Sequence, residues 1–175
     1  NFITKRPQCN EEFIKKELIK KTTKPKQVVK ILAKEKAKSI GVKNPNKLVV
    51  GCDTIIVCNK KIINKATSLE AAYKKIKKLS GKEHEIFSAI SAYKNNKEVW
   101  GCLQKTRVKI RILNKKEINY YLKTSGKQIL DSVGCYQIES FGPNIIENIR
   151  GDFFNVMGFP LFPFLKFLKT FNIKK

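Results

Sequence analysis

The run Leu48–Val49–Val50–Gly51–Cys52–Asp53–Thr54–Ile55–Ile56–Val57 constrains this chain more than any other ten residues. It is short, β-branched and almost continuously apolar, which is the pattern of a buried strand. Asp53 sits inside it. A carboxylate there is costly unless a metal, a cation or a donor network meets it. The chain carries three aspartates against 33 lysines, so the placement of acids is not casual. Gly51 lies on the same strand face two residues earlier and leaves room for a ligand or another backbone to approach. The plain alternative is a strand end at which Asp53 caps a turn or meets a lysine.

The elements around this strand follow from periodicity and punctuation. Residues 1–7 read as an extended entry and Glu11 to Leu18 as a short helix. Lys26 to Ile40 reads as a helix between Pro25 and Gly41. Its apolar stripe runs Val29, Leu32, Ala33, Lys36, Ala37, Ile40, so Lys36 falls on the inward face. A lysine aimed inward either snorkels at the rim or reaches an anion in a cleft. Asn59–Lys60–Lys61 reads as a turn, with Ile62–Ile63 returning as a short strand. Thr67–Ser68–Leu69–Glu70 reads as a capping box opening a helix with Leu69, Ala72, Tyr73, Ile76 and Leu79 on one face. Glu85 to Tyr93 and Glu98 to Ile112 form a hairpin about Asn95–Asn96, and residues 107–112 alternate strictly. Asn114–Lys115–Lys116–Glu117 opens another helix, closed by Gly126. Asp131 to Glu139 reads as a loop leading into a strand, and Asn144 to Ile149 as a short element. A last helix starts at Pro160 with Leu161, Phe164, Leu165 and Leu168 inward. No repeat or composition break appears, so the expectation is one α/β (α+β) domain over residues 1–175. Its core is a mixed twisted sheet flanked by helices, with a cleft at strand ends.

The net charge of +23 invites a nucleic-acid role. Against it, lysine outnumbers arginine 33 to 4, whereas readers of bases and phosphates draw heavily on arginine. The lysines are also spread along the whole chain. Salt-sensitive, non-specific affinity for polyanions is what such a surface supplies. No run approaches the roughly 18 apolar residues of a membrane span. The five cysteines show no CxxC pair and no zinc spacing, which suits reduced thiols and a cytoplasmic location.

Segments 2–11, 32–37, 50–54, 64–65, 79–84, 131–139, 150–152 and 158–161 follow one another in a fixed order along the chain. This ordered set resembles the Maf (septum-formation) family of nucleoside triphosphate pyrophosphatases. Residues 2–11, ending in the acidic Glu11, are similar to its extended segment. Leu32–Ala33–Lys34–Glu35–Lys36–Ala37 resembles its helix motif with a lysine, and Val50–Gly51–Cys52–Asp53–Thr54 its central aspartate motif. Asn64–Lys65 resembles its second lysine. Residues 79–84, 131–139, 150–152 and 158–161 resemble its later signatures. Departures accompany the likeness. The family's first strand and its phosphate loop rich in serine and arginine have no counterpart, so the chain reads as a fragment. Ala66 replaces the usual proline after the second lysine, and Ser132–Val133 replaces a Lys–Ala pair. Glu139 resembles the branch acting on methylated guanosine triphosphate, and Thr54 the branch acting on thymidine and uridine triphosphates.

The resemblance implies hydrolysis of a nucleoside triphosphate to a monophosphate and pyrophosphate, with a divalent cation (Mg²⁺ or Mn²⁺) and a homodimeric state. Asp53 is the expected base or metal-linked activator of water, with Glu11 as a second acid and metal ligand. Lys36 and Lys65 are the expected phosphate contacts, and Thr54 and Glu139 the expected readers of base or ribose. Such chemistry needs a positioned water and neutralisation of a polyanion, for which carboxylates with a hard cation and lysines are suited. His84, the only histidine, reads as a hydrogen-bonding turn residue. Asp131 is either catalytic or a loop cap, Asp152 a turn residue, and Tyr136 either a stacking or a core aromatic. Cys52 and Cys135 read as packing residues. The competing readings are a basic nucleic-acid-binding or division-associated protein without turnover and an inactive, truncated relative. A pure polyanion binder gains nothing from carboxylates in its cleft, because they repel phosphate unless a metal intervenes.

Overall fold

The computed structural model describes residues 2–21 and 24–171; Asn1, Thr22, Thr23 and residues 172–175 lie outside the described residues. The elements are α1 (Glu11–Lys21), α2 (Pro25–Gly41), β1 (Val49–Cys58), β2 (Lys61–Ile63), α3 (Leu69–Leu79), β3 (Glu83–Lys94), β4 (Lys97–Ile110), α4 (Lys115–Ser125), β5 (Ile146–Arg150), α5 (Phe153–Val156) and α6 (Leu161–Thr170). The expected α/β class holds. The five strands form one sheet in the order β2-β1-β3-β4-β5. The β1–β2 and β4–β5 pairs are antiparallel, so neither supplies a parallel member of the expected mixture. Among the described residues no helix is long and apolar enough to cross a membrane.

The chain groups into two compact units. The first comprises the described residues up to Thr54, Ser88–Gln104 and those from Gly158 on; the second comprises Ile55–Phe87 and Lys105–Met157. In the first unit α1 packs on α2, and α2 buries Val28, Val29, Leu32, Ala33 and Ala37. Pro25 starts α2 because its missing N–H costs nothing in the first turn. In α6 the expected face holds in part: Leu161, Phe164 and Leu168 are half-buried, Leu165 is exposed, and Phe167 is the residue taken fully inside. Its ring stacks on Trp100 at 4.6 Å between centroids, and an aromatic partner of that area outweighs the helical stripe.

In the second unit α3 packs on α4. Ile76 and Leu79 of α3 and Ile118 of α4 are fully buried; each such side chain contributes roughly 1.5–3 kcal/mol. Ser68, not Thr67, caps α3 by accepting the Ala71 N–H at 3.1 Å. The α4 capping box forms in both directions: Asn114 Oδ1 accepts the Glu117 N–H at 3.0 Å and Glu117 Oε2 accepts the Asn114 N–H at 2.7 Å. Asn59 and Lys60 both take positive φ (50° and 62°), the pair of left-handed residues that a two-residue hairpin turn requires. Two expectations need correction here. Residues 131–139 do not run into a strand: Cys135 takes φ 56°, and a Cβ at Gly142 would stand 2.4 Å from the Gln137 carbonyl oxygen. That curled backbone delays pairing until β5. The alternation of residues 107–112 stops at Ile110, and Ile112 is exposed. The Arg111 backbone bonds Gly81 and Ile145, which turns the chain out of the ladder.

Candidate active site

Gly51 fixes the geometry around Asp53. A Cβ at Gly51 would stand 2.5 Å from the Ala33 carbonyl oxygen and 2.5 Å from the Ala37 amide nitrogen. The α2 backbone thus lies directly on this face of β1, at the one residue without a side chain. Lys36, between those two alanines, is carried over Asp53, two residues further along the same face. Its Nζ donates to Asp53 Oδ1 at 2.7 Å and pairs with Glu11 Oε2 at 2.9 Å. The Lys36 and Asp53 side chains are 16% and 12% exposed and Glu11 is 44% exposed, so the cluster has one open side. Glu11 is placed by local chemistry. Asn10 Oδ1 accepts the Phe13 N–H at 3.0 Å and so caps α1, which puts Glu11 in its first turn. The preceding segment is tied to α2, where the Gln8 N–H reaches Ser39 Oγ at 3.1 Å and Lys43 Nζ donates to Gln8 Oε1 at 2.6 Å.

Two carboxylates flank the Lys36 ammonium. Burial pushes the Asp53 carboxyl above the ordinary aspartate range; the Lys36 ammonium opposes that push and Glu11 adds to it. Burial works against the charge on Lys36, but Asp53 and Glu11 together outweigh it and hold its pKa above the ordinary lysine value. Lys15, one helical turn after Glu11, also acts on Asp53 as a positive charge. Sequence reasoning missed Lys15; its i+4 spacing from Glu11 was the available signal. The donor set suits a hard divalent cation. Among the described residues no group of three metal-ligating side chains occurs. Two carboxylates with substrate phosphates and water are, however, the usual way Mg²⁺ is held. Asp53 and Glu11 therefore fit such an ion.

The opposite face of β1 is structural in its contacts. Cys52 Sγ donates to the Gly158 carbonyl at 2.9 Å and Thr54 Oγ1 donates to the same oxygen at 3.1 Å. Thr54 Oγ1 also shares a 2.9 Å hydrogen bond with Ser88 Oγ. Burial, with Asp53 beside it, pushes the Cys52 thiol up to about 12, so it is a packing residue and no nucleophile. Lys36, Asp53 and Glu11 are thus brought together, with Thr54 adjacent but turned to the other face.

Lys65 and Glu139 belong to the second unit, and both are exposed there. His84 is buried, shares a 2.6 Å hydrogen bond between Nε2 and the Tyr136 hydroxyl, and has its pKa lowered by burial to about 4. A neutral core histidine and a core tyrosine are the result. Asp131 ends a 3-10 helix, Lys127–Asp131, and is exposed. Asp152 caps α5 by accepting the Asn155 N–H at 2.8 Å. Cys135 is fully buried, and all five cysteines are free.

A family model described as Maf-like protein matches residues 1–171. The chain belongs to the Maf family. Among its relatives, the chain is 37% identical to the 7-methyl-GTP pyrophosphatase of Bartonella quintana (strain Toulouse), over 99% of this chain and 86% of that protein. It is 33% identical to the nucleoside triphosphate pyrophosphatase of Ruegeria pomeroyi (strain ATCC 700808 / DSM 15171 / DSS-3), over 93% of this chain and 81% of that protein. It is also 33% identical to the 7-methyl-GTP pyrophosphatase of Brucella abortus biovar 1 (strain 9-941), over 96% and 84%. The Maf likeness spans both compact units.

Proposed function

We propose that this Maf protein hydrolyses a nucleoside triphosphate between its α and β phosphates, consuming one water and releasing a nucleoside monophosphate and pyrophosphate. The observation that carries the reading is the Lys36 ammonium held between the largely buried Asp53 and the half-exposed Glu11. The names of the relatives agree with it. Asp53 takes the proton from the attacking water; a carboxyl held above its ordinary range is the stronger base. Glu11 orients that water from the open side. Lys36 keeps Asp53 in place and meets the developing charge on the phosphate oxygens. Lys65 is a second phosphate contact, and Glu139 meets the base or ribose. A divalent cation held by Asp53 and Glu11, when bound, neutralises the polyanion that two carboxylates would otherwise repel. Cytoplasmic location and a homodimer complete the reading; sedimentation equilibrium tests the dimer.

The test is pyrophosphate release across 7-methyl-GTP, GTP, dTTP and UTP, with Mg²⁺ or Mn²⁺, before and after EDTA. The reading expects release that needs the metal, with one triphosphate preferred. Absence of release from folded protein on every substrate contradicts it.

A further inference from the structure

Lys75 is a cation spent on backbone. Its Nζ donates to the carbonyl of Asn64 and, at 3.0 Å, to the carbonyl of Val133. It projects from α3 one turn after Ala72 and one turn before Leu79, on the edge of the buried stripe. The register that singles out Lys36 in α2 singles out Lys75 here. Its two acceptors belong to segments 69 residues apart in sequence, one leaving β2 and one leaving the 3-10 helix at Asp131. Burial pushes the Cys135 thiol up, and the Lys75 ammonium and the Ala66 backbone oppose that push across the same gap. Lys65 lies between Asn64 and Ala66. No residue of that tripeptide fixes its own φ, as a proline would, so the position of Lys65 depends on what ties the segment down. A half-buried ammonium carries a desolvation cost, and it persists here because two carbonyl dipoles meet it.

We infer that Lys75 is a positioning residue: it clamps the 64–66 segment against the 133–135 segment and thereby presents Lys65 to the phosphates of the substrate. This rests on the proposed role of Lys65. The clamp sets where a binding cation sits and not the basicity of Asp53, so its loss should appear in KM and spare kcat.

The test uses Lys75→Met, which keeps the apolar stem, with Lys75→Arg, Lys65→Ala and the Lys65→Ala/Lys75→Met double variant. Hydrogen exchange at the Lys65 and Ala66 amides reads the clamp without any turnover. Exchange in Lys75→Met should rise about tenfold, the lower end of what a hydrogen bond to a charged group contributes. KM should rise by a similar factor while kcat stays within about twofold, and Lys75→Arg should restore both readouts. The double variant should have the KM of Lys65→Ala alone, because a displaced lysine and an absent one are equivalent. Unchanged exchange in folded Lys75→Met overturns the inference. So does an unchanged KM in Lys75→Met when Lys65→Ala raises it. If Lys65→Ala leaves KM unchanged, the role of Lys65 fails first and the inference is overturned with it.

Discussion

Gly51→Ala is the smallest change that should dismantle the site without touching a charged residue. The added Cβ would stand 2.5 Å from the Ala33 carbonyl oxygen and from the Ala37 amide nitrogen, and 3.0 Å from the Ala37 Cα. Ordinary contact begins at 3.4 Å, so α2 must retreat by about 0.9 Å. Both obstacles are helix backbone, so no side-chain rotation relieves the clash. The overpacking should cost about 1–3 kcal/mol of stability, read as a lower urea midpoint at unchanged slope. The same retreat carries Lys36 away from Asp53, to which it now donates at 2.7 Å. A misplacement of about 1 Å in a catalytic group costs about a hundredfold in kcat. The assay is pyrophosphate release under saturating substrate, beside urea unfolding of the same preparations. Gly51→Ala with wild-type midpoint and wild-type kcat would refute the close approach as the origin of the Lys36–Asp53 geometry.

Two further outcomes follow from the charges. Lys36→Gln removes the cation that opposes burial on Asp53; kcat should fall about a hundredfold, and the acid limb of the pH–rate profile should move to higher pH. A limb that stays in place would show that Asp53 does not titrate against Lys36. His84 protonates near 6.5 when unfolded and at about 4 when folded. Protons therefore favour the unfolded chain between those values: the stability His84 allows is full above pH 6.5 and is lost as pH falls towards 4. The difference in unfolding free energy between wild type and His84→Gln should drift by about 3 kcal/mol over that window, and a flat difference would refute a buried neutral His84.

Much of this fold was legible because its signals are local. The α2 stripe, the Asn114–Glu117 capping box and the paired asparagines at Asn95–Asn96 each declare themselves within a few residues. Local reasoning also put Gly51 and Asp53 on one strand face and Lys36 on the inward face of α2. What it left open was the partner: a ligand or a backbone at Gly51, a solvated rim or an anion for Lys36. The answer in both cases is α2 against β1, a contact between segments that sequence periodicity does not pair. The failures share that origin. The full burial of Phe167 in α6 is chosen by Trp100, far along the chain, and the exposure of Ile112 by backbone bonds to Gly81 and Ile145. Lys75 escaped because a lysine at the edge of a stripe reads as solvated until its carbonyl partners are known.

The most direct test compares wild type with Asp53→Asn in Mg²⁺-dependent release of pyrophosphate from the preferred triphosphate. Asparagine keeps an oxygen for the Lys36 ammonium and the shape of the side chain, and removes the negative charge, and with it the base and the anionic ligand for the cation. The account predicts a loss of about 100- to 10,000-fold in kcat with folding intact, the range general-base catalysis supplies. Near-wild-type release from a folded Asp53→Asn protein would contradict it.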